Sequence, residues 1–415
     1  MRIAIIGSGI SGLTCAYLLA RQHELTVFEA ADWIGGHTHT VDIDWQGRRY
    51  AVDTGFIVYN DWTYPRFIQL MEHLGVASRP TQMSFSVHDP ASGLEYNGHN
   101  LNTLFAQRRN LLSPGFWGML RDILRFNRTA LEDLAEQRIP ASLTLGDYLR
   151  ADGYGARFID HYIVPMGAAI WSMSPERMLD FPLQFFVRFF ANHGLLSVSE
   201  RPQWRVVEGG SRSYVAPLSA SFRQSIRLSC PVQRVKRDGQ GVEILSAAGC
   251  ERFDKVVFAC HSDQVLGLLD SPTPQERDVL GALTYASNEV VLHTDTRLLP
   301  RRRLAWASWN YRLGGPTQAP AALTYDMNIL QGIEAPVTFC VSLNQSEQID
   351  PTQVLARFDY AHPQFSLAGV AAQARRAELQ GHHHSYFCGA YWGNGFHEDG
   401  VVSALEVADH FGEQL

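Results

Sequence analysis

The 415-residue chain predicts an α/β fold, a Rossmann-like nucleotide-binding domain interleaved with an α+β substrate domain. Three observations carry that expectation. A GxGxxG turn at Gly7, Gly9 and Gly12 lies between an apolar run, Arg2 to Ile6, and a helical pattern at Leu13, Ala16, Tyr17, Leu18 and Ala20. A second apolar run, Leu25 to Phe28, delivers Glu29 seventeen residues after Gly12. Later runs of buried-strand character, Lys255 to Cys260 and Tyr386 to Gly389, return only after long interruptions, so the chain leaves this domain twice and re-enters it.

Each part of the opening signature has a physical reason. Gly7 permits a tight turn, Gly9 lets a pyrophosphate approach the backbone, and Gly12 lets the helix pack on the strand. The helix N-terminus, with free N–H groups and a positive dipole end, favours the phosphates. Glu29 sits where a carboxylate accepts hydrogen bonds from an adenosine ribose, and it would repel a 2′-phosphate, which disfavours NADP. A second glycine pair, Gly35-Gly36, leads into His37-Thr38-His39-Thr40 and points to FAD rather than to a dinucleotide in general. The run Tyr50 to Val58 reads as a strand broken at Gly55, where a ring or phosphate could pass close to the backbone.

From Trp62 to about His193 the pattern turns helical, with amphipathic stretches at Pro65 to Leu74, Phe116 to Leu134 and Leu145 to Ala151. Nucleotide-domain character resumes at Val206 to Gly210, followed by a helix from Tyr214 to Phe222 and short strands at 226–228, 232–235 and 242–245. A second excursion, 262–383, reads as strands such as Val290 to His293 and Val337 to Val341, and a helix is expected near Gly400. These boundaries divide the chain into an FAD-binding domain of segments 1–58, 203–265 and 384–415, and a substrate domain of segments 59–202 and 266–383.

With 46% hydrophobic and 19% charged residues, the chain has ample material for a core. A net charge of −7 without a long basic stretch argues against nucleic acid. Arg301-Arg302-Arg303 reads as a solvated loop. Six cysteines lack any CxxC pair, which fits reduced thiols and a cytoplasmic location. His382-His383-His384 reads as a surface loop, and no metal site is expected. Neither a signal peptide nor an apolar run of ~18 residues is visible, which leaves peripheral membrane contact open.

The three nucleotide-domain segments, together with Pro165-Met166-Gly167-Ala168-Ala169-Ile170-Trp171-Ser172, give the sequence its likeness. It resembles the FAD-dependent oxidoreductase superfamily that includes flavin amine oxidases, protoporphyrinogen oxidase, carotenoid desaturases and UDP-galactopyranose mutase, and is most similar to bacterial amine oxidase-like proteins. The resemblance implies that Gly7, Ser8, Gly9, Ile10, Ser11 and Gly12 form the pyrophosphate turn, and that Glu29 and Ala30 hold the ribose. Gly35, Gly36 and His37 would pass the pyrophosphate and ribityl chain, Gly55 and Phe56 would lie near the isoalloxazine, and Val232 would meet the adenine. The segment from Gly389 would close over the ribityl chain, with a helix N-terminus at Asp399 and Gly400 against the flavin. Two positions depart from the pattern: His37 stands where an arginine is common, and Ala390 where an acidic residue is common.

Lysine occurs only at Lys236 and Lys255, both in nucleotide-domain segments. Flavin amine oxidases of the resembled type hold a lysine in the substrate-facing half, so amine oxidation is demoted. A single dinucleotide fingerprint disfavours a built-in NAD(P)H site, leaving oxygen, a quinone or a partner protein as electron acceptor. The aromatic stretch Phe181 to Phe190, with Leu195-Leu196, reads as a core helix or as the wall of a tunnel for a small hydrophobic, lipid-like substrate, with Arg188 and Arg201 available for a head group. The expected reaction is hydride transfer from that substrate to flavin N5 with formation of a C=C bond. Tyr391, His397 and Tyr59 are the candidate base or positioning groups. A flavin amine oxidase, or an isomerase of the mutase type, is the alternative.

Overall fold

The computed structural model describes residues 1–315 and 317–415. Five parallel strands form a sheet in the order Ile226–Arg227, Glu24–Phe28, Arg2–Ile6, Lys255–Phe258, Ser385–Phe387. The central strands are continuous apolar runs because both faces of the sheet are covered. On one face lies the helix Ile10–Leu19, with Leu13, Ala16 and Leu19 in one core with Val401, Ala404 and Val407 of the C-terminal helix His397–Asp409. Apolar on all sides, the first helix is pinned between the sheet and that last helix.

Three strands, Val232–Asp238, Gly241–Ser246 and Gly249–Phe253, form an antiparallel meander beside the parallel sheet. The larger second sheet has seven strands in the order Val354–Gln364, Thr284–His293, Cys340–Leu343, Leu323–Asp326, Trp309–Arg312, Phe85–Asp89, Leu94–Asn97. Its last two strands come from the first excursion. That region is therefore not helical throughout: two short strands pair with each other, and Phe85–Asp89 runs parallel to Trp309–Arg312. Four or five residues are too few for an alternating pattern to stand out from its surroundings.

The remaining helices of that region share an aromatic core. Helix Pro114–Ala135 begins with Ser113, whose hydroxyl accepts the Phe116 N–H at 3.3 Å, and with Pro114 at its first position. Its Phe116, Met119, Phe126 and Ala130 pack with Phe158, Phe181, Phe186 and Phe190. The aromatic stretch is thus mainly a core helix, Leu183–Asn192. The helix expected over 214–222 is broken into a short turn, Val215–Ser219 and a second turn, and the last helix begins at His397, three residues before Gly400.

Close packing of strand on helix at the opening turn leaves no room for a side chain. A Cβ on Gly12 would lie 2.0 Å from the Gly7 carbonyl oxygen. Gly12→Ala is expected to destabilise the protein by about 2 kcal/mol or more, read as a lower urea midpoint at unchanged slope.

Candidate active site

A cavity of about 800 Å³ opens at the C-terminal ends of the parallel strands and extends across one face of the seven-stranded sheet. Loops that follow parallel strands converge there, which is where such folds place ligands. Gly7, Ser8, Gly9, Ile10 and Ser11 line it, as do Glu29, Ala30, Gly35, Gly36, His37, Gly55, Phe56, Val232, Gly389, Tyr391 and His397.

The two glycine motifs touch. Gly35 donates its N–H to the Ser8 carbonyl at 3.1 Å, and a Cβ on Gly36 would lie 3.2 Å from Gly9 Cα. On the other side, a Cβ on Gly55 would sit 2.1 Å from the His37 carbonyl oxygen, where Phe56 N–H already donates at 2.8 Å. Gly9 is different: nothing lies within 4 Å of where its Cβ would project, and the helix it begins has neither a side-chain cap nor an acidic residue in its first turn. That combination is an open, electropositive cradle. Beside it, Glu29 is held in place by Ser8, which donates its N–H and hydroxyl at 2.9 and 2.6 Å, and by the Ala31 N–H at 2.9 Å.

Four expected site residues lie off the cavity wall. Gly12 sits beneath the turn, packed on Gly7. Tyr59 points away because neighbouring strand residues face opposite sides: Val58 lines the cavity, while Tyr59 is buried with its ring 5.1 Å from Phe67. Asp399, expected to form the helix N-terminus, turns back inside the first turn to accept the Phe396 N–H at 2.9 Å. Gly400 is used for helix packing, since a Cβ there would lie 2.8 Å from Ile10 Cγ2. The helix end that meets the cavity is therefore that of His397.

His397 is tightly held. Its ring stacks on Phe56 at 3.4 Å between centroids, and its Nε2 lies 3.0 Å from both Thr38 Oγ1 and Tyr214 Oη, which also bond each other. Burial keeps its imidazole neutral. The Tyr391 hydroxyl is buried without a protein partner among the described residues, and burial drives its ionisation well above the ordinary range, so it keeps its proton and can donate a hydrogen bond but not act as a base.

Residues from distant segments complete the wall. His261 and His362 join His37, with ring centroids 5.8 and 5.6 Å from it, and Tyr360 lies 5.3 Å away. His362 Nδ1 is 2.9 Å from Ser172 Oγ, and Ser172 adopts a left-handed backbone at the end of helix Val164–Trp171. Burial, reinforced by each other's charge, lowers His37 and His261 to about 4 and His362 to about 3. His37 Nε2 has no protein partner. His261 was open to discovery, because it follows the end of a parallel strand; nothing local marks His362.

An apolar chamber of about 170 Å³ adjoins the cavity and shares Val58, Ile170, Trp309 and Phe396 with it. Tyr96, Tyr162, Met166, Phe189 and Leu195 line it, and among the described residues the exposed Arg201 is the one permanently charged side chain on its wall. His193, also there, is tied to the Phe189 carbonyl at 2.9 Å and to Thr63 Oγ1 at 3.1 Å, and burial lowers it to about 4. Arg188, by contrast, does not reach this wall.

Residues 10–323 match the family of flavin-containing amine oxidoreductases. The chain belongs to that family. A flavin-containing amine oxidoreductase of this kind is an FAD-dependent oxidoreductase. The AofH protein of Mycobacterium tuberculosis, provisionally a flavin-containing monoamine oxidase, is 23% identical over 79% of this chain and 70% of its own length. Among solved structures, cyclohexylamine oxidase from Brevibacterium oxydans IH-35A superposes with a TM-score of 0.67 at 16% identity over 99% of both chains. A CLA-producing fatty acid isomerase from P. acnes superposes at 0.70, with 14% identity over 99% of this chain and 98% of that one. This oxidoreductase shares their fold, and its own wall residues must decide its substrate.

The cavity histidines are neutral when folded and bind protons when unfolded, below about 6.5. Their contribution to stability is complete above that pH and is lost as pH falls toward 3–4. Buried Asp53, Asp326 and Asp399, raised to about 6, act with the opposite sign, so a difference measurement isolates the effect. The melting-temperature deficit of His362→Asn should be largest at pH 7 and shrink by pH 4.5.

Proposed function

We propose that this cavity holds FAD and that the protein dehydrogenates an apolar, acyl-type substrate whose chain occupies the adjoining chamber, leaving a C=C bond. The observation that carries the reading is the wall of that chamber, which is apolar and, among the described residues, bears one fixed cation, Arg201, and no carboxylate. A cationic amine would be desolvated there without a counter-charge, whereas an alkyl chain with an anionic head finds both its partners. Neither lysine reaches the cavity: Lys236 lies on an outer meander strand, and Lys255 Nζ is 3.1 Å from His384 Nδ1.

The residues present fit FAD. The open cradle at Gly9 and the bare helix end would take the pyrophosphate, Glu29 with Ala30 the ribose, and Val232 the adenine. Gly35 to His37 would follow the ribityl chain, with the unpartnered His37 Nε2 and Tyr391 hydroxyl as polar contacts along the cavity. Gly55, Phe56, Gly389 and the His397 end of the last helix would border the isoalloxazine. When bound, FAD accepts two electrons and one hydrogen from a substrate C–H bond, and oxygen, a quinone or a protein partner reoxidises it. The chain supplies orientation and neutral imidazoles at His37, His261 and His362; one of them takes the proton lost from the neighbouring carbon only in passing, since burial lowers all three well below their ordinary value, and hands it on to solvent. On this reading segments 1–58, 203–265 and 384–415 form the FAD half and the rest the substrate half.

Gly9→Ala fills the cradle without touching protein, so the apoprotein should keep its urea midpoint while FAD binding weakens at least about tenfold by fluorescence titration. Anaerobic addition of a saturated long-chain fatty acid should bleach the visible flavin band. Bleaching by a primary amine and not by the acyl chain would overturn the reading, as would activity confined to dithionite-reduced protein. Arg201→Ala should raise KM for the fatty acid at least about tenfold with kcat little changed, and Arg201→Lys should restore much of it.

A further inference from the structure

Helix Pro114–Ala135 buries one face in the aromatic core and leaves another bare. Trp117, Leu124 and Leu131 are seven residues apart, two helical turns each, and stand 50%, 58% and 38% exposed in one stripe. The segment before the helix adds Leu101 and Leu112, at 76% and 88%, with Leu111 also exposed. These groups are contiguous: the Trp117 indole N–H donates to the Leu111 carbonyl at 2.9 Å, and Arg108 reaches back to the Asn102 carbonyl at 3.0 Å.

Arginine predominates along this apolar surface up to Leu131, beyond which Glu132 and Asp133 follow. Between Leu101 and Leu131 the chain carries five arginines and a single acid, Asp122, which is buried, although the whole protein has a net charge of −7. Arg108 and Arg109 are exposed and bond neutral carbonyl and amide groups. The turn of Arg301-Arg302-Arg303 and the exposed Leu304 sits alongside. Its Arg301 and Arg302 N–H groups donate to Glu95 at 2.8 and 3.1 Å, and Asn97 Nδ2 donates to the Trp306 carbonyl at 2.7 Å, on the strand that leads into Leu101.

We propose that this face docks the protein on an anionic phospholipid bilayer. Leu101, Leu112 and Trp117 enter the boundary of the acyl chains, and the arginines meet phosphates. No helix among the described residues is long and apolar enough to cross a membrane, so the helix lies on the surface rather than spanning it. Gly98 and His99, which line the apolar chamber, lie three and two residues before Leu101, so docking sets the chamber wall next to lipid. Docking stands apart from the reaction assigned above: vesicle binding reads one, flavin bleaching the other.

The test sediments the FAD-loaded protein with sucrose-filled vesicles of phosphatidylcholine alone or mixed with phosphatidylglycerol. Binding is expected only with the anionic vesicles and should weaken as salt rises. The double variant Arg108→Glu, Arg109→Glu should lower the partition coefficient about tenfold or more. Leu112→Ser with Trp117→Ser should lower it comparably, while Leu228→Ser, an exposed leucine elsewhere, leaves it unchanged. Unaltered flavin content in each variant shows that the fold survives. Equal binding to neutral vesicles, binding to neither, or a solution dimer that Leu112→Ser converts to monomer would overturn the proposal, the last by giving this face to a second copy.

Discussion

Three stretches of backbone cross at van der Waals distance near the strand ends, and the site depends on that crossing. The Gly35–His37 segment runs between Gly9 on one side and Gly55 on the other, with a bridge from Gly9 to Gly35. A side chain at Gly55 or Gly35 would force this crossing apart, because its Cβ would lie 2.1 Å from the His37 carbonyl oxygen or 2.7 Å from the Thr38 carbonyl oxygen, backbone atoms that cannot rotate aside. With the layers in contact, the loops after the first two strands form one continuous floor. The ends of the remaining parallel strands and the C-terminal helix then complete the cavity.

The chemistry of that cavity follows from the burial of its histidines. Three histidines are packed near one another, and each makes the others harder to charge, so the wall is rich in nitrogen yet carries no cation from them at neutral pH. Polar groups that do sit there are held by specific partners, as Asp53 is by the Ser211 N–H at 2.9 Å and by Thr40 Oγ1 at 2.5 Å. A wall of uncharged imidazoles and fixed polar groups is preorganised, which lets a cofactor's electronic properties dominate. The adjoining apolar chamber has, among the described residues, fixed charge only at Arg201.

The helical region serves two surfaces at once. Its inward residues build an aromatic core independent of the parallel sheet, and Phe189 and Leu195 carry that core to the chamber. Two strands lock the region to the seven-stranded sheet, so the two excursions of the chain form one body over the nucleotide-binding layer. Its outward residues are unusually apolar and basic. Core, chamber and outer face therefore come from the same run of sequence, at different angular positions on the same helices.

Local signals in the sequence determined a great deal. Strand-turn-helix glycines, the acid after the second strand, the returning apolar runs and several helices report backbone sterics and side-chain periodicity, which act over a few residues and are legible without the fold. Helix Leu145–Ala151 lies where its periodicity places it, and the cradle at Gly9 where its spacing does. The direction of Tyr59, the cap made by Asp399 and the strands at Phe85–Asp89 and Leu94–Asn97 depend on register and on neighbours, and a shift of one residue reverses each outcome. The meeting of His37, His261 and His362 lies further beyond local reading, since these residues are separated by at least a hundred positions and share no pattern. Sequence alone determined the nucleotide-binding layer because its constraints are covalent and local. Tertiary structure decided what faces the reacting space, because that depends on which distant side chains packing brings to the same wall.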